Sequence, residues 1–138
     1  MDYETYQKRF FVSPQPEQRF QFEGIMGITL FFAEYENAVG YYTAVLGPPA
    51  YVEGTGTRGW QLGNTWLTLL KGEAQQHSNV EIQIIMQTPT EAERLQKAFI
   101  DAGGSGAEPT NELMYYPVRY CPLTDPFGTD ILVYAMIQ

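Results

Sequence analysis

Apolar and polar positions alternate along most of the chain in short runs separated by glycine or proline. The run GITLFF over 27–32 is apolar and β-prone, which predicts a strand. Over 36–46 the spacing changes: Val39, Tyr42 and Leu46 share one helical face, and Gly47-Pro48-Pro49 stops the helix. Three short strands are predicted next, at 51–52, 59–63 and 65–71, with glycine turns between them. The run VEIQIIMQ over 80–87 starts by alternating, with Val80, Ile82, Ile84 and Met86 on one side and Glu81, Gln83, Ile85 and Gln87 on the other. Thr88-Pro89-Thr90-Glu91 has the form of a capping box with proline at the first helical position. The helix it opens carries an apolar stripe of Ala92, Leu95, Ala98, Phe99 and Ala102 and ends at Gly103-Gly104. Further strands are predicted around 114–116, 118–123 and 129–137.

The element order is strand, helix, strands, and then the same again. One βαβββ unit cannot bury both faces of its sheet, whereas two can curve around a shared cavity. The expected architecture is α+β: paired βαβββ modules, about 25–72 and 79–138, forming a curved, mostly antiparallel cup with helices outside. Residues 1–24 read differently. RFFV (9–12) and RFQF (19–22) flank SPQPE, which suggests a hairpin or an ordered arm; four phenylalanines argue against a free tail. The domain proper is expected over 25–138.

Composition narrows the function. The 138 residues are 44% hydrophobic and 14% aromatic, which suits one compact domain. Acidic residues number 16 against 8 basic ones, and Arg119 is the one base after Lys97. Nucleic acid and anionic membrane surfaces call for clustered Lys and Arg, so neither is an expected partner. Cys121 is a single cysteine, which excludes an intramolecular disulfide and a cysteine-cluster zinc site. His77 is a single histidine in a polar loop, which removes mechanisms needing two imidazoles. No apolar run approaches a membrane span and the N-terminus has no signal-like stretch, so a cytoplasmic setting is expected. GTGTRG (54–59) matches a phosphate-loop spacing, but strand-like alternation follows it, so it reads as a hairpin turn.

EYENAVGYYTAVLG (34–47) and DPFGTDILVY (125–134), in this element order, resemble the vicinal oxygen chelate superfamily, the group of glyoxalases, bleomycin-resistance proteins and extradiol dioxygenases. The resemblance covers about 24–138. It implies a divalent-metal site with one ligand on each of four cup-lining strands. Carried over, those positions fall at Gly27, Leu67, Glu81 and Leu132, and a slip of one residue offers Trp66 or Thr68 and Ile131 or Val133. One carboxylate does not make a tight divalent site, so no metal or other cofactor is expected.

The cup is then expected to be lined by Thr29, Phe31, Leu67, Leu69, Glu81, Gln83, Leu132 and Tyr134. Arg119 would be an internal partner for Glu81, and Tyr115, Tyr116, Trp60 and Trp66 would stand at the rim. Such a lining suits a small organic molecule held by shape, an acidic surface suits a cationic one, and Glu81 would anchor it or stay solvated. The leading expectation is a metal-free binding protein that sequesters or carries its ligand. The alternative is a lyase or isomerase with Glu81 as base and Arg119 or Tyr134 stabilising an oxyanion. A third is a cup filled by its own side chains. Family members commonly pair, so a homodimer is expected, with the 1–24 arm on the second subunit.

Overall fold

A computed structural model describes residues 1–18, 27–73, 80–113 and 116–137. A helix α1 (Tyr3–Phe10) precedes two repeats of one motif. The first comprises β1 (Gly27–Phe32), α2 (Tyr35–Leu46), β2 (Tyr51–Glu53), β3 (Thr57–Leu62) and β4 (Thr65–Lys71). The second comprises β5 (Glu81–Met86), α3 (Pro89–Asp101), β6 (Thr110–Leu113), β7 (Pro117–Thr124) and β8 (Asp130–Met136). Each motif forms its own four-stranded mixed sheet, in the orders β1-β4-β3-β2 and β5-β8-β7-β6. First and last strands run parallel and the remaining pairs antiparallel. The α+β architecture of paired βαβββ modules is therefore present, and the cup is open.

Local chemistry accounts for the boundaries. Thr88 caps α3 by accepting a 3.2 Å bond from the Glu91 N–H, with Pro89 in the first turn. The reciprocal half of a capping box is replaced by a Glu91–Arg94 ion pair. GTGTRG turns β2 into β3, with Gly54 at φ +60°, and opens no helix. The arm differs from the hairpin alternative over 3–10: Asp2 accepts from the Thr5 N–H and starts a helix instead. RFQF (19–22) lies outside the described residues. The strand expected near 114–116 begins earlier, as β6, and residues 114 and 115 are also outside the described set.

One core spans both modules. Leu30, Phe32, Leu67 and Leu69 of the first sheet join Ile82, Ile84, Cys121, Ile131 and Val133 of the second, against Tyr41 and Tyr42 of α2 and Phe99 of α3. Tyr41 packs edge-on against Tyr42 and Phe127, and Tyr42 edge-on against Phe99. The Tyr41 hydroxyl donates to the Phe99 carbonyl at 2.8 Å. Trp60, expected at the rim, is in this core and donates its indole N–H to the Gly47 carbonyl. The Tyr41 hydroxyl and the Trp60 indole are thus paired, whereas the buried hydroxyls of Tyr35 and Thr129 have no hydrogen-bond partner among the described residues.

Candidate functional site

Strand register sorts the expected lining residues by face. Paired residues on adjacent strands share a face, and β1 pairs Thr29 with Thr68 and Phe31 with Leu70. Thr29 and Phe31 are exposed, Phe31 by 46%, so both stand on the open side. Leu67 does not join them. It pairs with Ile28, is 1% exposed, and points into the core with Leu69. Trp66, Thr68 and Leu70 occupy the open face of β4 in its place.

In the second sheet Glu81, Gln83 and Ile85 share the open face with their partners Asp130, Leu132 and Tyr134. Tyr120 and Pro122 of β7 continue that face beside Tyr134 and Leu132. Leu132 and Val118 are on this face too, but they are buried and stand apart from the main core. Arg119 points the other way, with Cys121 and Leu123. Its guanidinium donates to Glu93 of α3 at 3.0 Å and to Asn111 at 3.1 Å. It therefore is not the partner of Glu81, because α3 supplies a carboxylate on the opposite side of the sheet. Tyr115 and His77 lie outside the described residues, and Tyr116 is exposed.

The polar groups on the open face form a strip. Gln83 Nε2 donates to Glu81 Oε1 at 3.2 Å, and Thr124 Oγ1 donates to Asp130 Oδ1 at 2.9 Å. Glu81 and Asp130 sit opposite each other across the β5–β8 pair, and both are exposed. Cys121 is buried; burial, with Glu93 adding and Arg119 opposing, pushes its thiol up, so it is no activated nucleophile.

The donor set does not fit the metal that the resemblance implies. Gly27 has no side chain and no room for one, since a Cβ there would meet the Trp66 carbonyl oxygen. The open face of β4 offers Trp66 and Thr68, and that of β8 offers Asp130 and Leu132 beside Glu81 and Gln83 of β5, so two carboxylates are the charged donors on these strands. Among the described residues no three His, Cys, Asp or Glu side chains converge on a point where an ion could sit. No helix among the described residues is long and apolar enough to cross a membrane.

A second surface adjoins this face. A cavity of about 810 Å³ lies between the arm and the second module, lined by Tyr6, Phe10, Phe11, Val12, Gln83 and Leu113. Sequence reasoning missed the arm's part in it. Tyr3, Tyr6 and Phe10 recur at helical spacing after an Asp cap, which is the signal that was available.

Solved structures share this arrangement. A glyoxalase/bleomycin resistance protein from Albidiferax ferrireducens T118 superposes with TM-score 0.66 over 82% of this chain and 98% of its own, at 16% identity. The fold is the vicinal oxygen chelate fold. A glyoxalase/bleomycin resistance protein/dioxygenase family enzyme from Burkholderia phytofirmans PsJN (TM-score 0.65, 14% identity, 81% and 98% covered) has it too. So does the virulence protein STM3117 of Salmonella typhimurium (TM-score 0.66, 17% identity, 86% and 100% covered). No sequence-family model matches the chain, and no curated protein sequence does, so the vicinal oxygen chelate likeness is one of shape.

Proposed function

We propose that this protein binds a small organic molecule in its cup without a metal, sequestering or carrying it rather than transforming it. One observation supports the reading: the open face of the second sheet carries Ile85, Leu132 and Tyr134 beside Glu81, Gln83 and Asp130, and that of the first carries Phe31, where the resemblance implies four metal donors. Apolar walls with few polar groups are the usual make-up of a small-molecule site. Phe31 and Ile85 are 46% and 52% exposed, which costs the free protein apolar surface that a ligand would cover. The lyase or isomerase alternative has less support. Glu81 is exposed and engaged by Gln83, Arg119 is turned away, and Tyr134, on the same face, pairs with Ile85, four residues along β5 from Glu81, which places the base weakly. A cytoplasmic homodimer goes with the reading; exposed Tyr51 and Val52 on the edge strand β2 support pairing.

Native mass spectrometry of the freshly purified protein, together with elemental analysis, tests this. A retained organic molecule at one per cup, released by Phe31→Ala or Ile85→Ala with unchanged melting temperature, is the expected result. Stoichiometric metal held by the protein, or a ligand indifferent to both substitutions, would overturn it.

A further inference from the structure

The open face of the first sheet combines an aromatic ring with neutral hydrogen-bonding groups. Trp66 is partly buried there, and the glycine at position 59 makes room for its ring. The six-membered edge of the indole lies 3.5 Å from where a Gly59 Cβ would stand, so the ring leans over β3 into space that a larger residue would fill. Gln61 of β3 is directly opposite Trp66, about 5 Å away across the strands. Thr68 is two residues along β4, about 7 Å away, and pairs with Thr29 of β1. The Trp66 indole N–H, the two threonine hydroxyls and the Gln61 amide make no hydrogen bond among the described residues. Unlike the hydroxyls of Tyr35 and Thr129, none of them is sealed from solvent. Phe31, 46% exposed, borders the group beyond Thr29.

We infer that this face binds the pyranose ring of a saccharide, with Trp66 under its C–H face and Thr29, Thr68 and Gln61 at its hydroxyl-bearing edge. A pyranose with equatorial hydroxyls has apolar C–H faces and a polar rim, which matches an indole platform bordered by a few hydrogen-bonding groups. Threonine hydroxyls and a glutamine amide both donate and accept, as sugar hydroxyls do, so each side supplies what the other lacks. A plain hydrocarbon ring would strip water from these groups and return no hydrogen bond, which is unfavourable. The spacing fits as well, since groups about 5 and 7 Å from Trp66 stand at the edge of a ring laid on the indole. The inference deepens the proposed function and rests on it in one respect: the ligand is placed in a metal-free cup, beside Phe31.

Saturation-transfer NMR of the full-length protein with methyl β-D-glucopyranoside tests it. Expected is saturable binding with a Kd of about 1 mM, as suits a ligand of this size, and strongest transfer to the C–H protons of one ring face. The same ring without hydroxyls, 2-methoxytetrahydropyran, should show no saturable binding. Trp60 is in the core, so the accompanying change in tryptophan fluorescence should come from Trp66 and vanish in Trp66→Leu. That variant should also weaken binding roughly tenfold. Because Trp66 is partly buried, it is read beside Thr29→Val combined with Thr68→Val, which keeps side-chain shape and strand preference. The threonine variant should keep its melting temperature and bind about fivefold or more weakly. Absent glucoside binding, undiminished binding by the threonine variant, or equal binding of the hydroxyl-free ring overturns the inference. So does tighter binding of adenine, which would make the face a bed for planar bases. If the glucoside fails while the purified protein retains an organic molecule that Phe31→Ala releases, this inference falls and the cup reading stands. Glucoside binding lost in the threonine variant but indifferent to Phe31→Ala and Ile85→Ala supports the saccharide site and removes the reading built on those two residues.

Discussion

The Tyr42 hydroxyl donates a 2.7 Å hydrogen bond to Asp125 Oδ2, joining α2 of the first module to the turn that launches the last strand of the second. Asp125 is 4% exposed, and its other oxygen accepts the Phe127 and Thr129 N–H groups at 2.9 and 2.8 Å. The turn is thus shaped by Asp125 and tied to the neighbouring module by Tyr42. Two residues of the motifs that carry the family resemblance meet here, and their service is structural.

Both tyrosines of this pair of motifs make stability alkali-sensitive. Burial first, then the Asp125 charge, raises Tyr41 to about 12 and holds Tyr42 further up still. The unfolded chain ionises its phenols from about pH 10, while the folded protein keeps these two protonated. Their contribution is therefore complete below about pH 10 and declines above it, ending for Tyr41 near pH 12. Urea midpoints measured across this range should fall as pH rises, with a shallower slope in Tyr42→Phe. At neutral pH that variant should lose about 1–3 kcal/mol, because Asp125 stays buried with one acceptor unmet.

Gly27→Ala should destabilise the protein more than an ordinary strand substitution. The added Cβ would collide with the Trp66 carbonyl oxygen, so β1 or β4 must shift. A loss of about 3 kcal/mol or more is expected, read from chemical denaturation.

Arg119→Ala should leave ligand affinity unchanged, since its partners Glu93 and Asn111 are on the helix-covered side. The Arg119–Glu93 pair is part-exposed, with side chains 28% and 42% accessible, so its removal should cost about 1 kcal/mol or less. Equilibrium binding and thermal melts on the one variant check both halves.

Gln96→Leu should loosen the segment after α3. Gln96 is 4% exposed, and its amide nitrogen donates to the Ala107 carbonyl at 2.9 Å and the Pro122 carbonyl at 2.7 Å. Leucine fills the space but leaves two acceptors unpaired, at a cost of about 2–4 kcal/mol in total. Faster amide exchange over 103–109 should accompany the drop in denaturation midpoint.

Elements were legible where local signals agreed. GITLFF is β1 to the residue, TWLTLLK is β4, and Thr88-Pro89 opens α3 as its capping chemistry demands. Faces were less legible. In TWLTLLK both Trp66/Leu70 and Leu67/Leu69 are apolar, so period two could not choose between them; the parallel register with β1 did, by setting Leu67 beside Ile28. Arg119 misled for a similar reason, because its carboxylate partner sits 26 positions earlier on a helix. The module repeat, by contrast, was visible in element order and is realised as two identical strand orders.

The contact at Gly27 also constrains the history open to this protein. Any replacement of this glycine introduces a side chain that collides with the Trp66 backbone. A lineage with this strand pairing therefore meets the harmful step before any useful one. Neighbouring strands would have to part before position 27 could gain a coordinating group, and selection on the folded chain opposes that order of events. The strand pairing works as a ratchet against a coordinating side chain at this position.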